Sequence, residues 1–272
     1  MQALDSLPEI CETVCDISRR VGAFILVEQK KLTQYDVESK GLNDFVTYVD
    51  KAAEERLVAE LNTLISGAGF ITEEATIARE DKEFIWIIDP IDGTTNFIHG
   101  LPLFCISIAL MHQGKVILGV VYEIKNDECF HAIEGGNAYL NQEIIHVSSR
   151  NLLKDSLLVT GFPYKDEIKL ECWMKLFVDL LRKSHGVRRL GSAAIDLAYV
   201  ACGRFEAFYE YGLSPWDVAA GAFIVQQAGG KVSDYSGGNN YIFGKELLAG
   251  NGRMNEELRT VILEHISEKG NQ

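Results

Sequence analysis

The chain has 272 residues, 47% of them hydrophobic, which is enough to bury a large core in one big domain or two compact lobes. Its 26 basic and 39 acidic side chains give a formal net charge of −13, which repels phosphate backbones and anionic lipid surfaces. Neither direct nucleic-acid binding nor membrane binding is therefore expected. The acidic N-terminal stretch lacks the basic start and unbroken apolar run of an export signal, so a cytoplasmic protein is expected.

Apolar spacing in the first half predicts helices packed on a sheet. Residues 7–25 have the spacing of a long amphipathic helix, and a second helix is predicted from about Asp44 to Ser66. Gln113 and Gly114 predict a tight turn. The strand-like runs of this half are GFITEE, FIWIID, LFCISIALMH, KVILGVVYEI and ECFHAIEG. Together they predict two helices on a largely antiparallel sheet.

After about residue 149, strand-like runs alternate with helical ones. The runs SLLVTGF, RFEAFYEYG and ELLAGN predict strands, and helices are predicted at 166–184, 192–202, 215–228 and 254–268. We therefore expect an N-terminal α+β lobe over residues 1–149 and a C-terminal α/β lobe over residues 150–272, joined in a single compact unit.

The stretch WIIDPIDGTTNFIHG joins a predicted strand to an acidic turn. FIWIID is an uninterrupted apolar run typical of a strand covered on both faces, and Pro90 is expected to end that strand because it cannot donate to a sheet ladder. Asp89 and Asp92 flank a turn in which Gly93 permits a positive φ. The TTN segment that follows has the composition of a helix N-terminus, which attracts anions such as phosphate.

Further acids favour a metal site in this region. Alone, Asp89 and Asp92 are explained more readily as turn and cap residues than as metal ligands. Glu73 and Glu74, however, end GFITEE, and Asp217 lies at the start of a small-residue helix in SPWDVAAGAFIVQQAGG. Clustered carboxylates repel one another and take up protons unless a cation neutralises them. Mg²⁺, a hard cation held by oxygen ligands, fits such a cluster.

Cysteine and histidine spacing gives no sign of a transition-metal site. The six cysteines form no CxxC pair and lie mostly in apolar stretches, and the six histidines are scattered without an HExxH motif. Buried packing is therefore the expected role of the thiols, and neither disulfide nor zinc chemistry is indicated.

Two of these motifs resemble the signatures of a known family. WIIDPIDGTTNFIHG and WDVAAGAFIVQQAGG resemble the two signature motifs of the inositol monophosphatase family, which comprises Mg²⁺-dependent, lithium-sensitive phosphomonoesterases. NDFVTYVD and GFITEE resemble two further blocks in the same order, and the resemblance extends to ELLAGN. It implies an α/β (α+β) fold of the layered αβαβα sandwich type shared with fructose bisphosphatase, and a homodimer.

The resemblance also implies a set of ligands for two to three Mg²⁺ ions per active site. Glu73 would bind the first metal together with Asp89 and the backbone carbonyl of Ile91. Asp89 would bridge to a second metal, which Asp92 and Asp217 also hold, and Glu73 would reach a third, weaker metal through water. Most of these ligands lie in the predicted N-terminal lobe.

The catalytic roles implied by the family concern the water and the phosphate. Gly93 and Thr94 would offer backbone N–H groups to the phosphate. Asp50 would hydrogen-bond Thr94, whose hydroxyl, together with Glu73, would orient and deprotonate the attacking water. Without the matching block, Asp50 would be interpreted as a solvated surface acid.

The resemblance also implies a set of residues that contact the substrate. Glu210 matches an acid that contacts sugar hydroxyls, and Asp92 and Asp217 are counted as further substrate contacts. A short segment facing the same pocket is matched by Gly191, Ser192 and Ala193.

The sequence departs from many animal members at three of the neighbouring positions. Ser214 and Pro215 replace His and Cys, and Ser192 replaces Thr. Lys40 matches a basic residue of a mobile loop only with a one-residue gap. Arg188 and Arg189 are compatible with clamping a phosphate, but surface ion pairs are the favoured role because both residues lie outside the matched motifs.

Three functions are compatible with the sequence. The first is hydrolysis of inositol monophosphate to inositol and phosphate by a metal-activated water. The second keeps this chemistry but acts on fructose 1,6-bisphosphate, histidinol phosphate, NADP or 3′-phosphoadenosine 5′-phosphate. The third is a regulatory protein-binding role with secondary catalysis. The DGTTNF segment favours the first over the nucleotide-phosphate branch of the superfamily.

Overall fold

The computed structural model describes residues 6–41, 44–80, 82–164 and 166–266. The helices are α1 (Leu7–Gln29), α2 (Tyr48–Leu64), α3 (Thr94–Ile98), α4 (Glu167–Lys183), α5 (Ala193–Ala201), α6 (Pro215–Gln227) and α7 (Asn255–Ile266). The strands are β1 (Val37–Gly41), β2 (Asp44–Thr47), β3 (Gly69–Thr72), β4 (Phe84–Asp92), β5 (Cys105–His112), β6 (Lys115–Glu123), β7 (Glu128–Ile133), β8 (Ala138–Leu140), β9 (Glu143–Ile145), β10 (Leu157–Thr160), β11 (Gly186–Arg188), β12 (Ala207–Tyr211), β13 (Lys231–Ser233) and β14 (Glu246–Gly250).

Seven strands form the larger sheet, in the sequence order β3 to β9. β3 runs parallel to β4, and the remaining neighbours are antiparallel. Helices α1 and α2 cover one face because their apolar side chains recur every three or four residues and pack with the outward side chains of β4 to β6. The prediction of two helices on a largely antiparallel sheet is confirmed.

Five strands form the second sheet, in the order β11-β10-β12-β14-β13. β10 is parallel to both of its neighbours, whereas β14 is antiparallel to β12 and β13. Helices α5 and α6 pack between the two sheets, and α4 and α7 cover the outer face of the smaller one. The layers therefore follow the order α, β, α, β, α, which confirms the predicted sandwich. The division into two lobes near residue 149 stays a prediction.

Helix α6 approaches its neighbours closely because two glycines leave room for it. A Cβ atom added at Gly119 in β6 would lie 2.8 Å from the carbonyl oxygen of Ala220, and one added at Gly221 would lie 2.6 Å from Cβ of Leu197 in α5. The hydroxyl of Ser107 in β5 donates to the carbonyl oxygen of Trp216 over 3.0 Å. The N-terminal turn of α6 is thus fixed against the larger sheet.

Two local predictions were wrong. The second helix begins at Tyr48 rather than Asp44, because residues 44–47 pair with β1 as strand β2 and Thr47 caps the helix. Pro90 does not end its strand: β4 continues to Asp92, with a register shift against β5 between Asp89 and Asp92. Such a bulge removes the demand for a ladder hydrogen bond from the proline nitrogen.

Other features of the chain agree with the sequence. Gln113 and Gly114 have φ angles of 49° and 82°, as a tight hairpin turn between β5 and β6 requires. Among the described residues, none of the helices combines the length and the apolar composition needed to span a bilayer.

Candidate active site

Three buried or half-buried carboxylates converge where β4 meets α6. Asp89 and Asp92 lie on either side of the β4 bulge, and Asp217 lies in the first turn of α6. One oxygen from each carboxylate lies within 4.8 Å of the others. Asp89 is only 2% exposed. Such a group of oxygen donors suits a hard divalent cation.

Glu73 joins this cluster because β3 is parallel to β4. The parallel pairing brings the C-terminal ends of both strands to the same edge of the sheet, and the backbone N–H of Glu73 donates to the carbonyl oxygen of Ile88 over 3.3 Å. The Glu73 carboxyl group lies close enough to that of Asp89 to raise the Asp89 pKa. The structure therefore brings together all four acids that were predicted as metal ligands, which we call the acidic cluster: Glu73, Asp89, Asp92 and Asp217.

Hydrogen bonds from neighbouring groups orient the aspartates of the acidic cluster. Asp89 Oδ1 accepts from the backbone nitrogen of Ile91 over 2.9 Å. Asp92 Oδ2 accepts from Ser192 Oγ over 2.8 Å and from the backbone nitrogen of Ala194 over 2.6 Å. In each case one carboxylate oxygen is held by the protein, so the direction of the second oxygen is fixed as well.

Asp217 is held by the start of its own helix. Its Oδ2 accepts from the backbone nitrogen of Ser214 over 2.7 Å, within a capping box that begins α6. Ser214 and Pro215, at which the sequence departs from many animal members, therefore define the helix start that positions Asp217.

A second group of predicted residues surrounds the Thr94 hydroxyl. Thr94 Oγ1 lies 3.2 Å from Asp50 Oδ1 and 2.9 Å from the carbonyl oxygen of Ile91. Asp50 is fully buried at the first turn of α2, where its other oxygen accepts from the backbone nitrogen and the hydroxyl of Thr47 over 2.8 and 2.6 Å. Asp50 is therefore a buried side chain that contacts Thr94, not a solvated surface acid.

The turn after β4 requires glycine at position 93. Gly93 has a φ of 96°, and a Cβ atom there would lie 2.9 Å from the carbonyl oxygen of Leu103. The Asn96 amide donates to the carbonyl oxygens of Leu103 and Leu190 over 2.7 and 2.8 Å. Asn96, which the sequence placed only within a helix start, thus ties this turn to the segment that begins at Gly191.

A pocket of about 210 Å³ opens beside the acidic cluster. Glu210 lies on its wall near the end of β12, with its carboxyl group in space that a side chain at Gly161 would occupy. The pocket brings together all the predicted substrate contacts except Gly93 and Thr94, which line an adjoining cleft. The predicted residues in its wall are Asp92, Gly191, Ser192, Ala193, Glu210 and Asp217.

The same pocket contains Arg189 and a buried acid that sequence reasoning missed. Arg189 is exposed, lines the pocket and lies close enough to Asp92 and Glu210 to stabilise their charges. This placement favours the phosphate-clamp role for Arg189 over a surface ion pair. Asp196 is buried there, and its Oδ1 atom has no hydrogen-bond partner among the described residues. An acid inside the apolar helix sequence AAIDLAYVA was a signal that could have identified it.

Two further basic residues differ in their placement. Lys40 Nζ lies 2.6 Å from Glu74 Oε1 and 3.4 Å from Glu73 Oε1, so strand β1, rather than a loop, brings it to the acidic cluster. Arg188 is exposed, and its guanidinium donates to the carbonyl oxygen of Val187.

Burial and mutual repulsion keep protons on these acids. Burial, followed by the charges of Glu73, Asp92 and Asp217, raises the pKa of Asp89 well above its ordinary value. Burial raises the pKa of Asp92 to about 6, although the hydrogen bonds from Ala194 and Ser192 oppose the shift, and it raises the pKa of Glu73 to about 7. The pKa of Asp217 is also well above normal, for the same reasons.

Comparisons with known proteins agree with this geometry. Nus factor SuhB from Pseudomonas aeruginosa is 41% identical over 254 residues, covering 92% of this chain and 94% of that protein. Inositol-1-monophosphatase from Mesorhizobium japonicum is 43% identical over 216 residues, covering 79% of this chain and 81% of that protein. The solved structure of a Thermotoga maritima IMPase superimposes with a TM-score of 0.87 at 35% identity, covering 99% of this chain and 100% of that one.

The family model described as the inositol monophosphatase family matches residues 6–270. This match spans the acidic cluster, the Asp50–Thr94 pair and the pocket beside them. Members of this family are metal-dependent phosphatases, which accords with the grouped oxygen donors. By sequence and by fold, the chain belongs to the inositol monophosphatase family.

Proposed function

We propose that the protein is a Mg²⁺-dependent phosphomonoesterase that hydrolyses inositol monophosphate to inositol and phosphate. The observation that carries this proposal is the meeting of Glu73, Asp89, Asp92 and Asp217 beside a polar pocket that contains Glu210. Family membership supports the phosphatase activity, and the Mesorhizobium japonicum relative named inositol-1-monophosphatase supports the substrate.

The chemistry of the donors supports Mg²⁺ as the cofactor. The acidic cluster offers carboxylate oxygens, and the Ile91 carbonyl adjoins it beside Thr94. We assign two to three Mg²⁺ ions to these donors, with Asp89 as the bridging ligand. When bound, the ions lower the pKa of water and neutralise the leaving oxygen of the ester. Their positive charge removes the repulsion that otherwise keeps protons on the carboxylates.

The protein's own groups would position the phosphate and the water. Gly93 and Thr94 open helix α3, so their backbone N–H groups are free of intrahelical partners and suit a phosphate oxygen. The Thr94 hydroxyl has one proton, and when Asp50 or the Ile91 carbonyl accepts it, the lone pairs of Oγ1 are free for the attacking water. Glu73, which adjoins Asp89, would together with Thr94 orient the attacking water and accept its proton.

The pocket beside the cluster supports a hydroxyl-rich substrate. The Glu210 carboxyl would accept hydrogen bonds from vicinal hydroxyls, and the segment 191–193 would contact the same ring. Burial raises the pKa of Glu210 to about 8, so without substrate this group keeps a proton near neutral pH. The proposal also includes a homodimer and inhibition by Li⁺, and both of these rest on family membership alone.

The raised pKa values predict that the metal-free protein loses stability as pH rises. For Glu73 the folded-state pKa is about 7 against an ordinary 4.5, so the folded protein holds a proton that the unfolded chain has released. The stabilisation is complete below pH 4.5 and is lost as pH rises to about 7. We expect the Tm measured with chelator to fall across this range, and Mg²⁺ to restore it at the upper end.

Asp89→Asn provides the control for this measurement. This variant lacks one of the repelling charges, so its metal-free Tm should equal or exceed that of the wild type at pH 7 and depend less on pH. A wild-type Tm that changed with neither pH nor Mg²⁺ would contradict the conclusion that repulsion between the carboxylates destabilises the metal-free protein.

A panel of phosphate esters tests the proposed substrate. We expect the highest kcat/KM for inositol monophosphate among this ester, fructose 1,6-bisphosphate, histidinol phosphate, NADP and 3′-phosphoadenosine 5′-phosphate, measured as phosphate release with and without Mg²⁺ and Li⁺. Asp92→Asn should lose most of its turnover and stay folded, because the amide weakens metal binding but still accepts hydrogen bonds from Ser192 and Ala194.

The matched control is Asp16→Asn, which removes an exposed carboxylate from α1 and should leave kcat/KM unchanged. A nucleotide as the best substrate would overturn the assignment of inositol monophosphate. Near-normal turnover of Asp92→Asn at limiting Mg²⁺ would show that Asp92 is not a metal ligand.

A threonine far from the site separates the proposed water-positioning role from general effects of losing a hydroxyl. Thr94→Ala should lower kcat by roughly 10²-fold or more while leaving the Mg²⁺ dependence little changed, because its proposed task is alignment of the water. Thr63→Ala is the control, since Thr63 is exposed near the end of α2, where its hydroxyl donates to the carbonyl oxygen of Glu60, and should leave kcat unchanged. Equal kcat values for Thr94→Ala and the wild type would show that the Thr94 hydroxyl does not position the water.

A second function is favoured by the names of similar proteins. The Pseudomonas aeruginosa relative at 41% identity is a Nus factor, which favours a regulatory role through a protein partner. In a strain that lacks this gene, the Asp92→Asn protein should correct growth defects that arise from lost partner binding. It should not correct defects that arise from lost catalysis. Full restoration of growth by Asp92→Asn would show that catalysis is the secondary function. No restoration of growth would show that catalysis is the primary function.

A further inference from the structure

Two cysteines and a histidine meet far from the acidic cluster. Cys11 and Cys15 lie four residues apart on the buried face of α1, and His131 lies on β7. Cys11 Sγ is 3.7 Å from His131 Nδ1, and the ligand atoms of all three residues lie within 4.8 Å of one another. The proposed phosphatase mechanism uses none of them. We call them the thiol–imidazole cluster.

The hydrogen bonding of His131 leaves its inner nitrogen available as a ligand. Nε2 lies 3.0 Å from the carbonyl oxygen of Asn141, and a carbonyl oxygen can only accept, so Nε2 bears the proton. In this tautomer Nδ1 has a free lone pair directed towards Cys11. A carbonyl partner on the distal nitrogen is the arrangement that fixes the ring of metal-bound histidines.

The spacing of the three atoms agrees with tetrahedral coordination. Zn–S bonds of about 2.3 Å and Zn–N bonds of about 2.0–2.1 Å place sulfur and nitrogen about 3.6 Å apart at a tetrahedral angle. The observed separation of 3.7 Å between Cys11 Sγ and His131 Nδ1 matches this value. Cys15 Sγ lies within 4.8 Å of both of these atoms, so the three donors already surround one point.

The surroundings supply a further donor and a compensating charge. Cys129, two residues before His131 on β7, is buried and lies close to Cys15. Arg19, one turn further along α1, interacts favourably with the sulfurs of Cys15 and Cys129. A cleft of about 530 Å³ lined by Cys11, Cys15 and His131 gives an ion access from solvent.

We propose that Cys11, Cys15 and His131 form a Zn²⁺ site that links α1 to β7. The fourth position is completed by Cys129 or by water from the cleft. On binding, Cys11 and Cys15 each release a proton to solvent, so the two thiolates balance the charge of the ion and no electron is transferred. The site differs from the acidic cluster in donor type, because sulfur and imidazole select zinc whereas carboxylates select magnesium.

Cobalt substitution tests the site on the full-length protein. Excess Mg²⁺ is added first to occupy the acidic cluster, and Co²⁺ is then titrated in as a spectroscopic substitute for Zn²⁺. We expect one Co²⁺ per chain, with a sulfur-to-cobalt charge-transfer band and tetrahedral d–d bands, and displacement of both by one equivalent of Zn²⁺. We also expect Zn²⁺ to raise the Tm, because an ion held between α1 and β7 binds only the folded chain.

Three variants make the test specific. The double variant C11S/C15S should lose the charge-transfer band, and His131→Gln should weaken Zn²⁺ binding by at least about 10-fold while both thiols remain. Cys172→Ser is the matched control, because Cys172 is buried in α4 and should leave the spectrum unchanged. Far-UV circular dichroism checks folding; if the double variant is unfolded, His131→Gln decides the result.

Several outcomes would overturn the site. They are the absence of a sulfur-to-cobalt band in the wild type, an equal band in a folded C11S/C15S variant, and wild-type Zn²⁺ affinity in His131→Gln. Phosphate release with Mg²⁺ should persist in all three variants, because none of these residues contacts the acidic cluster. A protein that binds Co²⁺ as expected but hydrolyses no ester would therefore refute the proposed function and leave the zinc site in place.

Discussion

The structure depends on holding like charges together in a place where water cannot separate them. Glu73, Asp89, Asp92 and Asp217 are close enough, and buried enough, for each to raise the pKa of its neighbours or be raised by them. Isolated, such a group favours protons over negative charge. A divalent cation relieves the same repulsion without protonation, so the arrangement is costly without metal and favourable with it. The fold must therefore hold the four carboxylates in place against their mutual repulsion.

That rigidity comes from backbone positions rather than from ion pairs. The bulge in β4 sets Asp89 and Asp92, the capping box of α6 sets Asp217, and the parallel pairing of β3 with β4 sets Glu73. Gly119 then lets α6 approach β6 closely enough to bring its N-terminus to the sheet. Because β3, β4 and α6 together supply the carboxylates, the geometry of the acidic cluster depends on how these three elements pack.

The sequence predicted those parts of the site that follow from local chemistry. Asp89, Asp92 and Gly93 occupy one short segment whose turn needs a glycine, and the starts of α3 and α6 have recognisable compositions. Glu73 was proposed for the same site from its position at the end of a predicted strand and from the family resemblance, but the parallel pairing of β3 with β4 that brings it there is a property of the sheet. Pro90 was misjudged because its effect on β4 depends on a bulge, which is set by the partner strand β5.

Residues outside the motifs are brought to their sites by contacts between distant parts of the chain. Arg189 belongs to the pocket because Asn96 ties the β4 turn to the neighbouring carbonyl of Leu190, a contact across 94 residues of chain. The thiol–imidazole cluster joins positions separated by 120 residues, and neither α1 nor β7 shows it alone. Spacing rules detect metal ligands that share one loop or helix, whereas these ligands are assembled by the packing of a helix across a sheet.

The two clusters also place different demands on the same sheet. The acidic cluster lies at the end of β4, beside a pocket. The thiol–imidazole cluster lies between α1 and β7, and both of its cysteines pack with apolar side chains. Burial in an apolar layer suits polarizable sulfur, which loses little by desolvation, and it penalises carboxylates strongly. The two clusters thus differ in donor type and in place: carboxylate oxygens meet at the end of β4, and sulfur meets imidazole where α1 packs against β7.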